Sequence, residues 1–94
     1  MPAYWIAHVT ITDPEKYKGY QSLAPAAFAA HGGKFLARGG AYEVMEGPAL
    51  DRHVIIEFPS LDAAKACYAS PEYTAARLAR QGASIAHITL VESL

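Results

Sequence analysis

The chain has 94 residues, 52% of them hydrophobic, and a formal net charge of -1. A single domain of this length buries roughly 60–70% of the surface of its unfolded chain, so its core is thin. Its apolar content is too high for disorder, and no run approaches the roughly 18 consecutive apolar residues of a membrane span. Lysines and arginines are scattered, with no basic stripe for a phosphate backbone, which argues against nucleic acid as a partner.

Residues Ala3 to Thr12 alternate, with Trp5, Ala7, Val9 and Ile11 on one side and Tyr4, Ile6, His8 and Thr10 on the other, and predict a strand. Met1 to Tyr4 runs straight into it without a basic, apolar or cleavable leader, so a cytoplasmic protein is expected. Asp13 followed by Pro14 reads as a helix N-cap and first helical residue, with Glu15 near the positive helix end. Tyr17, Tyr20, Ala24, Ala27, Phe28 and His31 then recur at helical spacing until Gly32-Gly33, and Pro25 is expected to kink this helix. Lys34 to Arg38 predicts a second strand, continuing from Ala41 to Glu46 after a bulge or bend at Gly39-Gly40 and ending at Gly47-Pro48. After a polar turn around Asp51-Arg52, the β-branched run His53 to Phe58 is a third strand, closed by Pro59. Ser60 caps a helix carrying Leu61, Ala64, Cys67 and Tyr68. Ser70-Pro71 opens a second helical segment with Tyr73, Ala76, Arg77 and Arg80, and Ile85 to Glu92 is the fourth strand.

There is no internal repeat or linker, so residues 1–94 form one domain. The order β-α-β-β-α-β is the split motif of the α+β ferredoxin-like fold, a four-stranded antiparallel sheet with its helices on one face. The other face would carry Tyr4, Ile6, Ile55 and Val91. Leaving such side chains wet forfeits roughly 1.5–3 kcal/mol each, so a second copy of the sheet is the expected cover and a homodimer the expected state.

Several segments carry a resemblance: His31-Gly32-Gly33-Lys34-Phe35-Leu36-Ala37-Arg38-Gly39-Gly40, Glu46-Gly47, Val54-Ile55-Ile56-Glu57-Phe58-Pro59-Ser60, Cys67-Tyr68-Ala69-Ser70-Pro71-Glu72-Tyr73 and Leu90-Val91-Glu92. In this order, from Tyr4 to Glu92, the chain resembles the domain of unknown function 1330 (DUF1330) family. The resemblance implies a ferredoxin-like protomer and a dimeric α/β barrel. That superfamily otherwise serves small monooxygenases, lactone isomerases, haem enzymes and non-catalytic ligand sensors, so no reaction transfers with the fold. Cys67 stands where many relatives carry tryptophan, which would enlarge a cavity lined by that position. His8 stands where an acidic residue is frequent.

The two-residue period places His8 and Glu57 on one sheet face, where an acid–base pair would share a chamber. Arg38 joins them as the group that would fix a carboxylate or carbonyl oxygen, although the alternation of Phe35, Leu36 and Ala37 leaves its direction open. A mutually satisfied Arg38–Glu57 pair that only holds the sheet is the competing reading. Tyr20 and Tyr68 are candidate ligand contacts between helix and sheet, and His31 is a third, although a C-terminal helix contact is its more ordinary role. No spacing among the four histidines suggests a metal centre, and no phosphate loop or haem-like context suggests a cofactor. The single Cys67, on an apolar helix face, is expected to be buried and inert. The expected function is binding of a small carboxylated or aromatic molecule between sheet and helices, with cofactor-independent acid–base chemistry open to it. The alternative is a non-catalytic ligand-binding or structural dimer module.

Overall fold

Strand alternation and proline-led helix caps generate the elements in the order read from the sequence. The computed structural model describes residues 1–94. The elements are β1 (Ala3–Ile11), α1 (Pro14–Ala30), β2 (Lys34–Arg38), β3 (Arg52–Phe58), α2 (Leu61–Ala69), α3 (Pro71–Ala79) and β4 (Ser84–Glu92). The sheet has the order β2-β3-β1-β4, and every neighbouring pair is antiparallel. This is the ferredoxin-like arrangement. Each helix starts on a side-chain cap: Asp13 accepts from the Lys16 N–H, Ser60 from that of Ala63 and Ser70 from that of Tyr73. Pro25 sits inside α1, which runs on through it to Ala30.

The helices cover one face of the sheet. Trp5, Ala7 and Val9 of β1, with Ile56 and Phe58 of β3, pack beneath Tyr17, Ala24, Ala27 and Phe28 of α1 and Ala64, Cys67, Tyr73 and Ala76 of α2 and α3. Trp5 is the hub, with ring centroids 5.1 Å from Phe28 and 4.9 Å from Tyr73, both edge to face. The opposite face bears Tyr4, Ile6, His8 and Thr10 on β1, His53, Ile55 and Glu57 on β3, and Ile85, His87, Thr89 and Val91 on β4. Nothing in the protomer lies over most of it, and Ile85 and Val91 remain 54% and 44% exposed. The molecule is a slab only 17 Å thick.

The expected continuation of the second strand from Ala41 to Glu46 does not form; residues 39–51 connect β2 to β3 without regular structure. An extension would need β3 to run upstream of Arg52 as its partner, and there Gly47 sits at φ +99° and Pro48 has no N–H to give a ladder. The chain bends at Gly39, at φ +64°, the expected place for an irregularity, and a separate bulge lies earlier, between Phe35 and Ala37.

Candidate functional site

The bulge decides where Arg38 goes. Lys34 pairs with Glu57 on the uncovered face and Phe35 with Ile56 on the helix face, so a regular strand would return Arg38 to the uncovered side. One extra residue at Leu36 shifts the register, and Arg38 instead stands opposite Val54 on the helix side. Its guanidinium lies 4.4 Å above the Phe35 ring.

There it lines a cavity between the sheet and α1, with Trp5, Tyr17, Tyr20, Arg52 and Arg80 also contributing. Arg52 faces the helices because it opens β3 opposite Val9. Gly39, at φ +64°, makes room for it, since a Cβ at that position would collide with the Arg52 guanidinium. Arg80, the C-cap of α3, lies 4.6 Å above the Tyr20 ring and donates to the Tyr73 hydroxyl at 3.5 Å. The Tyr20 and Tyr73 hydroxyls share a hydrogen bond of 2.8 Å. The enclosed space is about 60 Å³.

Three arginines thus line a largely apolar cavity, with Gln21 and the tyrosines as its other polar members, and no carboxylate pairs with any of them: the one ion pair in the chain is Lys18 with Glu15, exposed on α1. No histidine, cysteine, aspartate or glutamate lines the cavity. Burial raises the pKa of Tyr17, outweighing an opposite pull from Arg80 and Arg52. Burial likewise raises those of Tyr20 and Tyr73, so the phenols stay protonated at neutral pH. The lining offers cations, hydroxyl groups and the Gln21 amide, and no base.

The sequence-predicted residues divide accordingly. Arg38 and Tyr20 line the cavity. His8 and Glu57 share the uncovered face, as the period implies, but they do not share a chamber: His8 stands opposite His53 and Glu57 opposite Tyr4, four residues or roughly 13 Å apart along the strands. The expected convergence of Arg38, His8 and Glu57 therefore fails, with the sheet itself between the arginine and the other two, and so does the structural Arg38–Glu57 pair. His31 is the C-cap of α1, its Nδ1 bonded to the Ala27 carbonyl at 3.1 Å, and it lies outside the cavity. Tyr68 packs on Trp5 and accepts from Arg77 at 3.1 Å beside an outer groove. Cys67 is packed against α1 rather than lining a cavity.

Sequence reading placed Arg52 in a turn, although counting back in twos from Val54 would have assigned it to the helix face. Arg80 was visible only as a helical residue in step with Tyr73 and Ala76. Also missed was a row on the uncovered face, where His53, His8 and His87 occupy directly opposed positions on β3, β1 and β4. The Nδ1 atoms of His8 and His53 are 2.8 Å apart.

The family model for a domain of unknown function, DUF1330, matches residues 2–94. The chain belongs to the DUF1330 family. The RPA0582 protein of unknown function from Rhodopseudomonas palustris is similar in structure, with a TM-score of 0.79 and 23% identity over 99% of this chain and 82% of that one. SnoaB, a cofactor-independent oxygenase from Streptomyces nogalater, has a TM-score of 0.67 and 17% identity over 99% of this chain and 93% of its own. A dimeric protein of unknown function and ferredoxin-like fold from Bacteroides fragilis has a TM-score of 0.66 and 15% identity over 98% and 96%. No curated protein matches the chain. At these identities the likeness establishes a ferredoxin-like fold and nothing finer.

Proposed function

We propose that this DUF1330 domain is a homodimer that binds a small carboxylate in the cavity between sheet and helices. The observation that carries the reading is the convergence of Arg38, Arg52 and Arg80 on an apolar cavity without a counter-charge. Planar guanidiniums match carboxylate oxygens two at a time, and cations held together without an anion repel one another until one arrives. Size narrows the ligand. A cavity that admits benzene encloses about 150 Å³, whereas this one encloses about 60 Å³. A short aliphatic tail fits inside with its carboxylate among the arginines, while an aromatic ring would have to stay at the mouth. The absence of a base from the lining favours binding over proton transfer, and His8 and Glu57, beyond the sheet, take no part.

Titration calorimetry with butyrate and with butyramide tests this. The acid is expected to bind at least about tenfold more tightly than the neutral amide, the scale of one charge-assisted hydrogen bond, and Arg52→Gln and Arg80→Gln should each erase most of that difference. Equal binding of acid and amide, or unchanged binding by both variants, would overturn the reading.

A further inference from the structure

On the uncovered face, the row of histidines and the 39–51 connection enclose a cleft of about 420 Å³ lined by His8, His53, His87, Tyr42, Glu43 and Glu46. Three of the chain's four histidines thus meet one cleft, brought there by strand pairing from positions 45 and 34 residues apart in sequence. One observation sets them apart from ordinary surface histidines. His8 and His53 point Nδ1 at Nδ1 across 2.8 Å, so a single proton must sit between two nitrogens that are both natural ligands. Glu43 and Glu46 form no ion pair, leaving carboxylate oxygens available at the rim.

We propose that this cleft is a binding site for a divalent transition-metal ion of the zinc, nickel or copper type, with His8, His53 and His87 as its nitrogen ligands. Imidazole suits these ions, and a mixed imidazole and carboxylate lining does not suit magnesium or calcium. An ion at 2.0–2.1 Å from each Nδ1 of a tetrahedral site sets the two nitrogens about 3.3 Å apart, so the pair need open by only about half an ångström. As the rings stand, no three histidine, cysteine, aspartate or glutamate side chains gather round one point. His8 and His53 are the preformed half. His87, exposed, directly opposite His8 and without a side-chain hydrogen bond, is the residue that turns to complete the set.

Zinc titration of the full chain, followed by calorimetry, tests the site. One ion per protomer is expected, with affinity falling by more than about tenfold in each of His8→Gln, His53→Gln and His87→Gln. His31→Gln, which alters the histidine outside the cleft, should bind as the unaltered protein does. Should a variant unfold, cobalt added to the unaltered protein gives an independent reading, because tetrahedral imidazole ligation produces intense visible absorption and shifts the ring proton resonances of His8 and His53. Failure of the unaltered protein to bind zinc, or equal binding by the His8→Gln, His53→Gln double variant, would overturn the assignment.

Discussion

Cys67 has no exposed surface, and its thiol donates to the Ala27 carbonyl at 3.5 Å. Burial, with the Glu72 carboxylate as a lesser cause, pushes its pKa from the ordinary 9.0 up to about 11. The neutral thiol is the form the fold accommodates. Its contribution to stability is therefore complete below pH 9 and is lost as pH rises from there through about 11. Thiol reagents at neutral pH should label the native protein far more slowly than the unfolded chain, and rapid stoichiometric labelling without unfolding would contradict this burial. Enlargement fares no better, because the side chain touches α1 and no cavity adjoins it. Cys67→Trp should lower the unfolding free energy by about 1–3 kcal/mol in urea melts, and a neutral result would mean that α1 can move aside.

At the scale of elements, the junction of α2 and α3 depends on one hydroxyl. Ser70 Oγ accepts from the Tyr73 N–H at 3.2 Å and donates to the Cys67 carbonyl at 2.7 Å, so the same side chain closes α2 and opens α3. It is buried, so neither backbone group can turn to water once it is removed. Ser70→Ala should cost about 2 kcal/mol against about 1 kcal/mol for Asp13→Ala at the exposed cap of α1. The reverse order in urea midpoints would count against this account. These caps were legible in the sequence because a serine or aspartate before proline is a local signal, as was the alternation from Ala3 to Thr12. The site was less legible, since its geometry comes from pairing between strands. Alternation correctly put His8 and Glu57 on one face, yet register decides that His8 meets His53 and His87 while Glu57 meets Tyr4 and Lys34. Arg38 was unreadable for a related reason: nothing in the residues Phe35, Leu36 and Ala37 announces that one of them is unpaired.

For the whole molecule, the uncovered face sets the expected assembly. Tyr4, Ile6 and Ile55 are half-buried within the protomer, and Ile85 and Val91 stand exposed beside them. A second copy docked sheet to sheet over the end of the face that carries Tyr4, Ile6, Ile55 and Val91, clear of the histidine cleft, would remove these four from water over an interface of roughly 800 Å² per partner. Light scattering at micromolar concentration should give a dimer, and Ile6→Lys should give a monomer with a lower Tm and unchanged helical circular dichroism. A dimer that survives Ile6→Lys would place the interface elsewhere. The bulge at Leu36 has a further consequence for how this chain tolerates changes of length. Deleting that single residue would restore the two-residue period of β2 and still leave Ala37 opposite Ile55 and Arg38 opposite Val54, because the residue removed is the one without a partner. Both faces of the strand would keep their side chains, with Arg38 on the helix side as before. A one-codon deletion here is thus absorbed by the strand, whereas the same loss from the regular run of β1 would turn every residue beyond it to the opposite face.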